Sequence, residues 1–197
     1  PSEDGKWLVY GVSKAGSDWQ EFRVKHIATG KDTEDLIEWV KLSGASWAKD
    51  SSGFYYSRYP KPKEGAALTE ANKNQTVYFH KLGTPQSEDK MIYARPDQPD
   101  WGLHAYVTDD GHYLIYSVTH GTDPKNRFFY QDLKQADAKV VELLNDFDAA
   151  YSFIENVGTN FYFHTDLKAP RYRVIAIDVT KPARENWREI IPEGADK

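Results

Sequence analysis

Hydrophobic positions along this chain fall into short aromatic or β-branched runs, separated by clusters of turn residues that recur at a near-constant interval. Four segments share one order of a polar turn, a glycine and an aromatic run. They read Ser-Glu-Asp-Gly-Lys-Trp-Leu-Val-Tyr at 2–10, Lys-Asp-Ser-Ser-Gly-Phe-Tyr-Tyr at 49–56, Thr-Asp-Asp-Gly-His-Tyr-Leu-Ile-Tyr at 108–116 and Glu-Asn-Val-Gly-Thr-Asn-Phe-Tyr-Phe at 155–163. The anchoring glycines, Gly5, Gly53, Gly111 and Gly158, stand 48, 58 and 47 residues apart. A period of about 40 to 50 residues is that of propeller blades. Asp-Asp-Gly-type turns supply the positive backbone angle of a tight hairpin, and the aromatic runs suit a pleated, half-buried surface, so each unit opens with a hairpin.

A third strand is predicted at 19–27, 77–82, 127–133 and 172–179, and a fourth at 35–39, 90–93, 139–143 and 187–191. The later three units also carry a strand before the turn, at 46–48, 105–107 and 150–153, whereas the first unit begins at its turn. Four strands per unit is the count of a β-propeller blade. A competing reading makes 33–41 and 136–144 amphipathic helices, because Val140, Val141 and Leu144 have helical spacing. Recurrence of the run at the same place in every unit favours strands. The predicted fold is all-β, a partial β-propeller of about four blades at approximately 1–41 (incomplete), 42–97, 98–145 and 146–197. The longest interval holds an insertion at 59–74, with Pro60, Pro62 and Gly65, read as a long loop with one helical turn at 68–71. A chain that starts inside a blade and closes no ring is expected to be part of something longer, with sheet edges open to self-association.

Composition narrows the chemistry. The 197 residues contain no Cys, which excludes disulfides, thiolate metal sites and a cysteine nucleophile. Charged residues at 28% and a mean hydropathy of −0.72 point towards disorder, but 14% aromatic residues argue for a packed, strand-rich chain. A net charge of −5 gives no attraction to nucleic acid or anionic lipid. With no long apolar run and a polar N-terminus, neither a membrane partner nor a signal peptide is expected. A cytoplasmic location is the expectation, with a periplasmic or secreted one left open. The sequon Asn74-Gln75-Thr76 reads as chance.

No Gly-x-Ser-x-Gly elbow occurs; the nearest match, at 11–15, ends in Ala15, so Ser13 reads as structural. No phosphate-binding glycine loop follows a strand. The six His residues, at 26, 80, 104, 112, 120 and 164, lack metal-ligand spacing and read as half-buried strand residues, so no metal or other cofactor is expected. The acidic pairs Glu3/Asp4 and Asp109/Asp110 precede hairpin glycines and read as turn chemistry. Two stretches exceed what strand patterning needs, Gly-Ser-Asp-Trp at 16–19 and His-Gly-Thr-Asp-Pro-Lys-Asn-Arg at 120–127. They occupy the same interval of the first and third units. Equivalent blade loops share one rim, which directs Asp18 and the 121–126 loop towards a common partner or cavity; Asx-turns are the plain alternative.

Together, Ser-Glu-Asp-Gly-Lys at 2–6, Gly-Ser-Asp-Trp at 16–19, Val40-Lys41 through Ser46-Trp47, Gly-Phe-Tyr-Tyr-Ser-Arg-Tyr-Pro at 53–60, Leu-Gly-Thr-Pro-Gln-Ser-Glu-Asp at 82–89, Asp-Asp-Gly-His-Tyr at 109–113 and Gly-Thr-Asp-Pro-Lys-Asn-Arg at 121–127 carry a resemblance. In loops as well as strands, and almost end to end, the chain resembles the N-terminal propeller of the prolyl oligopeptidase family of serine peptidases. The resemblance implies a parent with a seven-bladed propeller and an α/β-hydrolase domain that carries Ser, Asp, His and an oxyanion hole. It implies a propeller that caps the catalytic cavity and admits short peptides, cleaved after an internal proline. The implied partners are that catalytic domain and short proline-containing peptides. This chain holds no triad, so catalytic residues are expected to be absent and the chain alone to cleave nothing.

Position by position, Asp18 resembles the family aspartate that pairs with a substrate-binding arginine of the hydrolase domain. Leu42 falls where some members place a phenylalanine on the substrate side, and Gly102 and Thr122 fall at pocket-lining positions that carry Met and Cys in relatives. Ordinary inner-rim packing is the alternative for all four. The rival function is a stand-alone or engineered propeller fragment, a binding or assembly module that associates through open sheet edges. An unrelated propeller enzyme is disfavoured, because no acid, base or metal cluster recurs at one strand position.

Overall fold

The computed structural model describes residues 1–14, 16–65, 69 and 71–195. Most of the helical turn expected at 68–71 lies outside them. Among the described residues there are fifteen strands and two short 3₁₀ turns, at Gln86–Glu88 and Arg184–Asn186. The first sheet is β1 (Trp7–Ser13), β2 (Gln20–His26) and β3 (Lys31–Val40); the second is β4 (Ala45–Trp47), β5 (Gly53–Arg58), β6 (Thr76–Lys81) and β7 (Lys90–Tyr93). The third holds β8 (Trp101–Val107), β9 (Tyr113–His120), β10 (Arg127–Asp132) and β11 (Val141–Leu144); the fourth holds β12 (Tyr151–Val157), β13 (Asn160–Thr165), β14 (Arg173–Asp178) and β15 (Arg188–Ile191). Each sheet keeps its strands in sequence order, one three-stranded and three four-stranded, which is the all-β blade architecture expected. No helix of the described residues is long and apolar enough to cross a membrane. The chain forms two compact units, 1–107 and 108–197.

The segments 33–41 and 136–144 are not helices. Residues 33–40 lie in β3, which pairs with β2, and the end of the second segment is β11, which pairs with β10. Their helical look has a physical source. On β3, Asp35 and Ile37 are buried alternately with exposed neighbours, then a bulge makes Val40 the next buried residue. One inserted residue turns a spacing of two into three, which mimics a helix face. The last strand of every sheet carries such an irregularity: register shifts occur opposite Gln20/Phe22, Val77/Tyr78, Phe128/Tyr130 and Val174/Ile175.

The repeated turns also have a common construction in side-chain chemistry. Ser2 Oγ donates to Asp4 Oδ1 and Thr108 Oγ1 donates to Asp110 Oδ1, both at 2.7 Å, with Gly5 and Gly111 at φ near +69° and +68°. These contacts account for the second member of each acidic pair. Hydrogen bonds from Ser2 and the Lys6 N–H hold the Asp4 carboxyl at about 2.

Gly53 departs from the expectation. The left-handed residue of its turn is Ser51 (φ +58°), and Gly53 is required for space: a Cβ there would lie 2.0 Å from the His80 carbonyl oxygen. Since the obstacle is backbone of the paired strand β6, Gly53→Ala is expected to destabilise the chain by about 3 kcal/mol, the upper end of the usual overpacking range. Chemical denaturation checks this, and a change below measurement error would refute the close approach.

In the first unit Phe22, Val24, Ile37, Val40, Trp47, Phe54 and Tyr56 form one buried cluster. His80 sits against it, its ring 5.1 Å from Phe54. The expectation of a half-buried strand histidine fails here, because His80 is completely buried between two carboxylates. Its Nε2 lies 2.8 Å from Asp35 Oδ1 and its Nδ1 2.7 Å from Asp89 Oδ1. Thr33 and the Gly83 N–H also donate to Asp35, and Tyr56 donates to Asp89 at 2.5 Å. Burial presses the His80 pKa down, but the two carboxylates outweigh it and raise the pKa to about 9, so the ring is an imidazolium donating from both nitrogens. Burial likewise works against the Asp35 carboxylate, and His80, Thr33 and Gly83 overcome it to hold that pKa below 3.8.

In the second unit the core is a nest of rings. Phe128 meets Phe163 at 4.7 Å and Phe153 at 5.3 Å, and Tyr113 meets Phe161 at 4.8 Å, mostly edge to face.

Candidate functional site

The turn after β1 and the backbone after β3 present the first group of candidate residues. Trp19 N–H bonds Ser17 Oγ at 3.1 Å, an ST-turn that leaves Asp18 at its outer edge. The Asp18 side chain is 77% exposed and its carboxylate lies 3.5 Å from Lys41 Nζ. Lys41 is mostly buried along its stem, and its ammonium stands 5.4 Å from the centre of the Trp19 ring. Trp19 meets Trp39 at 5.9 Å and Tyr59 at 6.1 Å, both edge-on. Trp39 is the bulged residue of β3, with φ at +64°, a conformation unfavourable for a large side chain, and its carbonyl accepts the Tyr59 N–H at 3.1 Å. Cavities of 130 and 370 Å³ flank the Trp19 ring, the second walled by Tyr59, Pro60 and Pro62.

Leu42 follows directly. Its φ is +51° and its side chain is presented outward, the residue being 64% exposed. A buried amide, Gln75, fixes this strained backbone. Gln75 Nε2 donates to the Lys41 carbonyl at 3.1 Å and the Leu42 carbonyl at 3.5 Å, while its Oε1 accepts the Leu103 N–H at 2.7 Å. Gly102, half-buried at the start of β8, is the neighbour of Leu103. Burial holds the His104 pKa below 6.5, against an opposing backbone hydrogen bond with Leu42. Asp18, Leu42 and Gly102 are therefore linked in one frame: Asp18 to Lys41, Lys41 and Leu42 to Gln75, Gln75 to Leu103.

Thr122 lies in the second unit, exposed, in the turn after β9. Gly121 turns the chain with φ at +57°, and the Asp123 N–H bonds the His120 carbonyl at 3.2 Å. Asn126 closes the loop: its Oδ1 accepts the Tyr151 N–H at 2.7 Å and its Nδ2 donates to the Tyr151 carbonyl at 3.0 Å. The loop 120–127 is thus an anchored structure, and its asparagine does the anchoring.

Sequence reasoning missed Gln75, which it treated only as the middle of a sequon, and missed Trp39 and Tyr59 as partners of Trp19. The sole local signal for Gln75 was its place at the end of the insertion. In chemical terms the frame offers a carboxylate, an aliphatic side chain and ring faces. Ser13, the one serine weighed as a nucleophile, donates to the Ser17 carbonyl.

Comparison with known proteins places the chain in a family. The family model for the prolyl oligopeptidase N-terminal beta-propeller domain matches residues 1–197. A prolyl endopeptidase of Elizabethkingia meningoseptica is 35% identical over 195 residues, covering 99% of this chain and 27% of the relative. The dual function macrocyclase-peptidase POPB of Galerina marginata is 35% identical over 210 residues, covering 99% of this chain and 28% of the relative. Among solved structures, a mutant of prolyl oligopeptidase B from Galerina marginata, bound to a 35mer hydrolysis and macrocyclization substrate, superposes with a TM-score of 0.87 at 33% identity over 99% of this chain and 28% of that one. The chain thus spans about a quarter of the length of these relatives.

Proposed function

The chain belongs to the prolyl oligopeptidase N-terminal β-propeller family, and on that premise we propose that it forms part of the gate and one wall of the peptide site in a serine peptidase that cleaves short peptides after internal proline. The triad belongs to an α/β-hydrolase domain outside these residues, so the chain by itself hydrolyses nothing. The observation that carries the reading is the frame around Gln75, which holds Leu42 outward on a strained but braced backbone and fixes the backbone of Lys41, the partner of the exposed Asp18. Asp18, exposed and only loosely paired with Lys41, orients an arginine of the catalytic domain through a charge-assisted hydrogen bond. Leu42 supplies apolar contact to the peptide and Gly102 leaves room beside it, while Thr122, on the second unit, is a substrate-side position in its own right. Propeller blades across the entrance exclude folded chains and shield the acyl-transfer chemistry from bulk water.

The test is Asp18→Ala in the enzyme containing this chain, assayed on a chromogenic proline peptide. Losing one charge-assisted bond is expected to lower kcat/KM about ten-fold or more, since such bonds contribute roughly 1.5–3 kcal/mol. Stability should barely change, because the Asp18–Lys41 pair is exposed at the carboxylate end. Equal turnover by mutant and wild type would remove Asp18 from the site.

A further inference from the structure

The outer end of the fourth sheet holds a cavity of about 270 Å³ that the peptide-site reading does not use. Lys168, Arg173, Arg184 and Arg188 line it, with Glu189 and the Trp187 ring. We propose that this cavity binds a small oxyanion, a phosphate or carboxylate group. The proposal is independent of the peptide-site reading.

Strand register explains why cations collect there. Thr165 pairs with Arg173 and Phe163 with Ile175 across β13 and β14, so Arg173 and Ile175 share a face with Phe161 and Phe163. That face packs against Phe128, and the pairing of Ile175 with Glu189 brings β15 onto it. The cavity therefore lies beside this apolar face, and its cations Lys168, Arg184 and Arg188 are exposed to solvent.

The charges do not balance. Arg184 is paired with Asp148 at 2.5 Å and Arg173 with Glu189 at 3.1 Å. Arg188 bonds only a neutral group, the Asn160 amide oxygen at 2.9 Å, and Lys168 has no hydrogen-bond or ion-pair partner among the described residues. Two cations are left without counter-charge in a chain of net charge −5. Moreover, Arg173 Nε is buried and has no acceptor. Arg58 has an Nε in the same state, but its guanidinium lies 4.3 Å over the Tyr78 ring, which meets it with π density. Arg173 has no such ring; its Nε is closed to the cavity, and the rest of its guanidinium is tied to Glu189 on the cavity wall.

The site is also braced. Lys168 and Tyr172 both adopt positive φ, +52° and +66°, in a turn closed by Ala169 N–H to Asp166 and Tyr172 N–H to Ala169. Such strain persists only where surroundings enforce it. On the opposite wall the Trp187 indole N–H bonds the Pro182 carbonyl at 2.8 Å, and the Arg184 guanidinium lies 5.2 Å from the indole ring centre. Both sides of the cavity are thus fixed before any ligand arrives.

The experiment titrates the full chain with inorganic phosphate, by calorimetry and by thermal unfolding, at ionic strength held constant with chloride. Saturable binding with a Kd on the order of 1 mM is expected. Lys168→Gln and Arg188→Gln should each weaken it about ten-fold, and Arg173→Lys, which keeps the charge but removes the fork, should do the same. Lys14→Gln, in the first unit, should leave it unchanged. Lys168 is exposed, so its variant reports even where an arginine variant fails to fold. Acetate and citrate in parallel separate the two sources: phosphate binding alone assigns a phosphate site, and carboxylate binding alone a carboxylate site. No saturable binding of either, or equal stabilisation of wild type and all variants, would mean simple screening and overturn the proposal.

Discussion

Replacing His80 with Ala is expected to lower the free energy of unfolding by about 3–5 kcal/mol, because removing one partner of a buried ionic group leaves the others desolvated and unpaired. Here two carboxylates would be stranded, Asp35 and Asp89, both essentially without solvent contact. Linkage gives a consistent magnitude and a direction. His80 rises from 6.5 in the unfolded chain to about 9 in the fold, a stabilisation of about 3 kcal/mol. A raised pKa means that the folded state holds the proton more tightly, so the contribution is complete below pH 6.5 and fades as pH climbs through 9. Asp35 acts in the opposite sense: its pKa is lowered, so its contribution is present above 3.8 and is lost as pH falls through the folded value. Urea denaturation from pH 2 to 9.5, followed by tryptophan fluorescence, checks both. Wild type should lose stability between pH 6.5 and 9 while His80→Ala is flatter there. A mutant with the same alkaline slope would mean that another group titrates.

Trp47→Ala is expected to cost about 3–5 kcal/mol as well, by a different route. Trp47 is the last residue of a three-residue strand, lies opposite Phe54 in register and meets its ring at 5.3 Å within the buried cluster. With so short a strand, ring packing is the main tie between β4 and the core. For a chain of this size the loss corresponds to a fall in melting temperature of roughly 10 °C. The indole Nε1 is buried without a hydrogen-bond partner. Trp47→Phe, which removes that donor and keeps a ring, is therefore expected to stay within about 1 kcal/mol of wild type. An unchanged melting curve for the Ala variant would contradict the burial. A Phe variant as damaged as Ala would show that the indole makes a bond.

Much of the fold was legible because a blade repeats its instructions. The polar turn, glycine and aromatic run recur four times, and most runs fall within a residue or two of a strand in the structure. The failures have one origin, which is that long-range pairing leaves no local trace. Asp35, His80 and Asp89 belong to three separate segments, and only the packing of β3 against β5 and the 3₁₀ turn of the second sheet makes them one ionic group. The helical spacing around Val40 and Leu144 came from bulges, which a period-two reading cannot anticipate. Gly53 was read as a turn glycine, yet the demand on it comes from the His80 carbonyl of the next strand. At the candidate site, Asp18 and Leu42 were identified through family resemblance. Gln75, which braces Leu42, was invisible because an amide at the end of a loop has no distinguishing pattern.

The bulges that disguised those strands bear on how the molecule behaves in concentrated solution. Each sheet ends on its bulged strand, and all four carry exposed apolar side chains: Leu36 on β3, Met91 on β7, Val141 on β11, and Ile190 and Ile191 on β15. Such edges would ordinarily template fibrous growth by strand addition. An extra residue puts donors and acceptors out of step with a regular incoming strand, so greasy borders persist without offering a continuous ladder. A bulge thus weakens each of these borders as a template through its shape, independently of charge.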